Sequence, residues 1–199
     1  MATGTSFALN GNNVSYRFHV DADSGDLISD HFGARVTEDP PAEPTPNSGG
    51  WASQAHLRRE FPEAGRADFR VPAVQIKQAD GYVISDFRYR SHSVRDGKPA
   101  LEGLPSTFGS DDNVKTLNVR MYDEVSCVTA DLSYSVFPKH DAIARSVKIT
   151  NDGERDIVIE RLSTSFDLPY DEYEFLGLHG DWSRERLRIR RKVDPGVQG

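Results

Sequence analysis

The chain has 199 residues, 37% of them hydrophobic and 28% charged, the proportions of a soluble globular protein able to bury a sizeable core. Its formal charge of −7 argues against a general nucleic-acid binder, which needs surplus clustered Lys and Arg, and against binding to an anionic membrane. No apolar run approaches the roughly 20 residues that span a bilayer, and a lone Cys127 allows neither an internal disulfide nor a cysteine metal cluster.

In chain order, Met1 to Asn10 shows no basic or apolar leader region, so the start reads as lacking a secretory signal, and the compartment stays open. Val14–Val20 and Asp26–Phe32 are the first strand candidates. Asn13-Val14-Ser15 fits the glycosylation sequon, which makes Asn13 the glycosylation candidate on a secretory route. Residues 37–50 (TEDPPAEPTPNSGG) are rich in Pro, Gly and acid without periodicity, and predict a long loop. Trp51 follows at once. An aromatic at a loop tip can stack on a sugar ring, and the plainer alternative is a plug closing a sandwich.

Phe69–Gln78, Tyr82–Val94 and Thr116–Tyr122 read as strands, with Gln78-Ala79-Asp80-Gly81 as a hairpin loop and Arg95 to Asn113 as an irregular stretch. Val128–Val136 gives the clearest alternation, apolar on even positions and polar on odd, the pattern of a half-buried strand. Ile143, Val147 and Ile149 alternate with Ala144, Ser146 and Lys148. Asn151-Asp152-Gly153 then predicts a hairpin turn into a strand over Asp156–Phe166. Convincing amphipathic helix is nearly absent, and strands punctuated by Gly, Pro, Asn and Asp predict a sandwich or barrel.

Asp167, Asp171, Glu172 and Glu174 gather among Tyr170, Tyr173 and Phe175. A glycosidase needs two carboxylates about the scissile bond, yet nothing in this pattern buries either acid, and an exposed acidic connection is the plainer reading. Arg184, Arg186, Arg188 and Arg190 alternate with Glu185, Leu187 and Ile189, which on a regular strand puts the four arginines on one face. With the overall negative charge, that face reads as solvated or docked on acidic residues rather than as a nucleic-acid site. The six histidines lie far apart, and no Gly-x-Ser-x-Gly elbow or Gly-rich phosphate loop is present, so no metal, cofactor or catalytic residue is assigned.

Five stretches in order carry a family resemblance. Arg59-Glu60-Phe61-Pro62-Glu63 through Asp68-Phe69-Arg70-Val71-Pro72-Ala73 is similar to an acidic-aromatic-Pro step leading into Asp-Phe-Arg-x-Pro-Ala. Ile84-Ser85-Asp86-Phe87-Arg88-Tyr89 with Ser91-His92, Gly97-Lys98-Pro99-Ala100-Leu101-Glu102-Gly103-Leu104-Pro105-Ser106-Thr107, Asp167-Leu168-Pro169-Tyr170, and Gly180-Asp181-Trp182-Ser183-Arg184-Glu185-Arg186 follow. Together they resemble glycoside hydrolase family 36 α-galactosidases, fungal members most closely, over nearly the whole chain.

The resemblance implies an all-β fold, an antiparallel β-supersandwich of two large packed sheets with long irregular loops. It implies one amino-terminal domain over 1–199, incomplete at its C-terminal end, with the catalytic (β/α)8 barrel and both its aspartates absent, so that the chain alone is expected to be inactive. The expected function is a non-catalytic domain of an enzyme that hydrolyses terminal α-galactosides, serving barrel docking, homo-oligomer contacts and the active-site rim. Its partners are then the missing barrel of the same polypeptide, a second copy, and an α-galactoside only in the full enzyme. Trp51 becomes the substrate-rim candidate, and Trp182, Arg184, Arg186 and Arg190 the barrel-docking candidates, since an Arg fork suits carboxylates at such contacts. Fungal members are often secreted. The competing reading is an independent carbohydrate-binding β-sandwich module, which would expose an aromatic platform through Trp51, Tyr82 or Trp182.

Overall fold

A computed structural model describes residues 4–38, 57–66, 68–108, 113–167 and 173–193. Trp51 and most of the Pro-rich loop lie outside the described residues, as do Tyr170, Asp171 and Glu172. The chain divides into two compact units, the boundary falling after Asp167.

In the first unit, β1 (Ser6–Asn10), β2 (Val14–Val20) and β3 (Leu27–Ala34) form an antiparallel sheet in that order. Residues 58–60 run along the outer edge of β3, where Ser29 donates to the Arg58 carbonyl at 2.7 Å and Glu60 donates to that of Leu27 at 2.9 Å. β4 (Val74–Gln78) pairs with β9 (Ile157–Leu162), and β5 (Arg88–Asp96), β6 (Lys115–Asp123), β7 (Val128–Phe137) and β8 (Ala142–Asn151) form a four-stranded antiparallel meander. The one helical segment among the described residues is a 3-10 turn at Pro138–His140. The fold is all-β, an antiparallel β-sandwich with long irregular connections.

Alternation decides the core. On β7 the even residues Val128, Ala130, Leu132, Tyr134 and Val136 point inward, and the register sets Leu117 against Tyr134, Val119 against Leu132 and Met121 against Ala130. From the facing layer come Phe7, Leu9, Tyr16, Phe18, Leu27, Val74 and Ile76. Phe18 of β2 meets Tyr134 of β7 with ring centres 5.0 Å apart, a direct contact between the layers. Each such large apolar side chain contributes about 1.5–3 kcal/mol of burial.

The structure departs from the sequence pattern in several places. Of Phe69–Gln78 only Val74–Gln78 is strand, because Asp68 and Arg70 fold the preceding residues into an ion-paired turn. Of Tyr82–Val94 the ladder begins at Arg88. Gln78 to Gly81 does turn, Gly81 donating to the Gln78 carbonyl at 2.8 Å with φ +88°, but no strand follows it. Asn151-Asp152-Gly153 also turns, and it is not a hairpin: β9 leaves β8 and crosses to β4, where Ile159 stands opposite the fully buried Ile76. β1 and β10 were not anticipated from the pattern.

The second unit is a hairpin of β10 (Glu174–Asp181) and β11 (Arg184–Lys192). Arg184 pairs with Asp181, and Leu187 already pairs with His179, so β11 carries one extra residue there. Arg186 sits in this bulge at φ +61°. The bulge moves Arg184 to the face of Leu187 and Ile189, away from Arg188 and Arg190, so the four arginines do not share one face.

Candidate functional site

The longest motif, residues 59–70, folds into two adjoining polar clusters. Arg59 is buried and donates to Glu63 at 3.0 Å and to Asp68 at 3.1 Å. Arg66 grips Asp26 through two bonds of 2.7 and 2.9 Å, reaches Glu63 at 2.8 Å, and lies 3.2 Å from Asp86. Arg70 donates to Asp68 through its Nε at 3.0 Å and its Nη2 at 2.8 Å, and the same guanidinium binds the Leu57 carbonyl and Asp167. Burial acts to raise the Asp68 carboxyl, but bonds from Arg70 and Arg59 outweigh it and hold the pKa down to about 2. Glu63 moves the other way: burial raises it, with Arg59 opposing.

Glu60 anchors the second cluster. Its carboxylate accepts from the Tyr16 hydroxyl, from the Tyr134 hydroxyl at 3.0 Å and from Arg145 at 3.2 Å. Burial raises the Glu60 carboxyl above the usual range, partly countered by Arg145. Burial and the neighbouring Glu60 push both phenols up. All three donors meet on Oε2, and at 3% exposure the carboxylate is closed to a substrate; it pins β2, β7 and β8 together.

These clusters make a structural brace rather than an acid–base pair. Asp26, Glu60, Glu63 and Asp68 are each held by arginine, and none stands with a second carboxylate across an open space. Asp167 is taken by Arg70, and Glu174 opens β10 with Arg190 at 3.2 Å. Trp182 sits at the hairpin tip, 90% exposed, beside Ser183 at φ +66°. Arg184, Arg186 and Arg190 are exposed on the same hairpin. Asn13 is exposed in the β1–β2 turn, its side-chain amide donating to Asp141 at 2.7 Å, while Ser15 is buried and donates to Asn10 at 2.6 Å. Arg145 has no motif to mark it in the sequence; its one signal is that it interrupts the apolar row of Ile143, Val147 and Ile149.

The family model described as "Glycosyl hydrolase family 36 N-terminal domain" matches residues 25–199. Alpha-galactosidase 2 of Hypocrea jecorina is 60% identical over 99% of this chain, and a probable alpha-galactosidase C of Aspergillus terreus is 55% identical over all of it. The chain spans about 27% of the length of each. Among solved structures, the alpha-galactosidase of Lactobacillus brevis superposes with a TM-score of 0.89 at 32% identity, over 99% of this chain and 28% of that one. A variant family 36 alpha-galactosidase of Geobacillus stearothermophilus in complex with stachyose gives 0.89 at 31% identity, over 98% of this chain and 29% of that one.

Proposed function

The chain belongs to the glycosyl hydrolase family 36 N-terminal domain family, and from that premise we propose that it is the non-catalytic amino-terminal sandwich of an α-galactosidase. Hydrolysis of terminal α-galactosides, stachyose among them, then belongs to a barrel elsewhere in the same polypeptide. The observation that carries this reading is a core that runs out at one edge. Ile159 stands opposite Ile76 and Leu162 opposite Val74 on the β4–β9 ladder. Both β4 residues are fully buried, yet Ile159 is 46% and Leu162 40% exposed. An uncovered apolar edge of this kind calls for further chain to complete it.

The hairpin supports the same reading. A two-stranded ribbon is marginal alone, and this one exposes Phe175 and Leu187 on one face and Leu176 and Leu178 on the other. Trp182, Arg184, Arg186 and Arg190 are proposed to dock it on the barrel or on a second subunit. Trp51 is proposed to reach the active-site rim, and Asn13 to carry a glycan on a secretory route.

The test is hydrolysis of a chromogenic α-galactoside by the 199-residue chain, set beside a polypeptide continued to the length of the relatives. Turnover by the longer chain alone is expected. Turnover by the 199-residue chain that survives repurification and falls in Asp167→Asn overturns the proposal.

A further inference from the structure

The outer face of the four-stranded sheet carries a feature that neither the brace nor the docking reading uses. The register aligns one rung straight across it: Ser93 pairs with Asn118, Asn118 with Ser133, and Ser133 with Ser146. The neighbouring rung is Ser91, Arg120, Asp131 and Lys148. On the other side the next rung is covered, for Thr116 and Ser135 are buried, and Thr116 donates to the Gly97 carbonyl at 2.7 Å where the Gly97–Thr107 loop leaves the sheet. The result is a groove of about 710 Å³, floored by the serine–asparagine rung and walled by the charged rung on one side and by Pro99, Leu101 and Leu104 of the loop on the other. Polar outward faces are ordinary in antiparallel sheets. A trough of small side chains between two raised walls is not.

We propose that this groove binds a short neutral oligosaccharide. Strands lie about 4.8 Å apart, so the rung runs some 14 Å, the length of a short sugar chain. The floor suits a polyol because serine hydroxyls both donate and accept, as sugar hydroxyls do. Ser133 Oγ donates to Asn118 Oδ1 at 2.5 Å, which leaves the Asn118 NH2 as that side chain's donor. The charges about the groove alternate in sign, with Arg95, Arg120 and Lys148 set against Glu102 and Asp131, and leave a net charge of only +1. Arg120 binds Asp131 at 2.8 and 3.2 Å, and Lys148 faces Asp131 across the ladder, so no run of one sign favours an ionic ligand. The loop wall is held in place by Lys98, which donates to Ser106 at 2.8 Å, and it offers apolar surface to the C–H faces of the sugar. The inference rests on the α-galactosidase reading only for the choice of stachyose as a probe.

Titration of the isotope-labelled 199-residue chain with stachyose, cellotetraose and tetragalacturonate, followed by amide chemical shifts, tests it. The spectrum itself reports whether the chain and each variant are folded. Shifts centred on Ser93, Asn118, Ser133 and Ser146 with either neutral sugar at about 10 mM, where a millimolar site is nearly saturated, are expected. Asn118→Ala should weaken the interaction by roughly tenfold, and Ser146→Trp, which fills the trough from the other end, should abolish it. No shift at these amides with either neutral sugar, or a stronger response to tetragalacturonate, overturns the site. Stachyose hydrolysis by a longer polypeptide is a separate readout, so loss of the groove and loss of the parent activity cannot be confused.

Discussion

Arg145 lies directly across the β7–β8 ladder from Tyr134, and its guanidinium carbon sits 4.9 Å from the centre of that ring. From there it reaches both Glu60 and the Ser165 carbonyl. An inward-facing arginine is tolerated because its guanidinium meets acceptors on Glu60 and Ser165 and the ring faces of Tyr16 and Tyr134. Taking the cation away leaves Glu60 buried among two phenols with no countercharge.

Arg145→Met should therefore cost about 3–5 kcal/mol in denaturant unfolding. Glu60→Gln placed in the same chain should recover part of the loss, because a neutral amide needs no countercharge. A single variant as stable as the parent would show that the pair is not the brace described.

Gly65 holds φ +100°, and a Cβ there would meet the Ile84 side chain at 2.7 Å. Gly65→Ala should destabilise by about 1–3 kcal/mol through backbone strain. Ile84→Ala in the same background should relieve the steric contact and leave the strain, so only partial recovery is expected in thermal unfolding.

Asp68 keeps its charge in the folded chain down to about pH 2, whereas an unfolded aspartate binds its proton near 3.9. Between these values the unfolded state binds more protons, so stability falls as pH falls through that window. The difference amounts to roughly 2–3 kcal/mol, with the side chain almost fully buried. Asp68→Asn should lower stability at neutral pH and flatten the acid limb of a pH–stability curve. An unchanged limb would place the acid sensitivity elsewhere.

His19 is raised above its ordinary value, first by its hydrogen bond to Asp30 at 2.8 Å, with burial opposing. Its contribution is fully present below the ordinary pKa near 6.5 and is lost as pH rises through the folded value. Both side chains are about one-third exposed, so solvent screening keeps the effect below about 1 kcal/mol. Comparing the stability of His19→Gln and the parent at pH 6 and pH 8 should show the gap closing at the higher pH.

Ile159→Lys places a charge on the uncovered edge of β9, where charged side chains block edge-to-edge pairing. The 199-residue chain is expected to self-associate through this edge in sedimentation velocity, and Ile159→Lys to reduce that association without loss of the folded spectrum. Undiminished association would move the sticky surface to another part of the molecule, the exposed hairpin first.

The alternation of Val128 to Val136 determined the core face of β7 by itself, because a period of two leaves one choice of side. The match of Val14–Val20 to β2 has the same origin. Residues 59–73 were recognisable as a motif, and what they do was not: Arg59, Arg66 and Arg70 find partners as distant in sequence as Asp26 and Asp167. Nothing local encodes such a pairing. The turn at Asn151 to Gly153 was equally legible, while its destination was not, since a turn sets a reversal and long-range burial of Ile76 and Val74 sets the partner strand. The arginines of β11 were visible as an alternation, and a single bulge at Arg186 undid their common face. Sequence periodicity fixes which side of a strand is dry. Only the closed tertiary structure decides which strand lies beside it and which buried charge answers which.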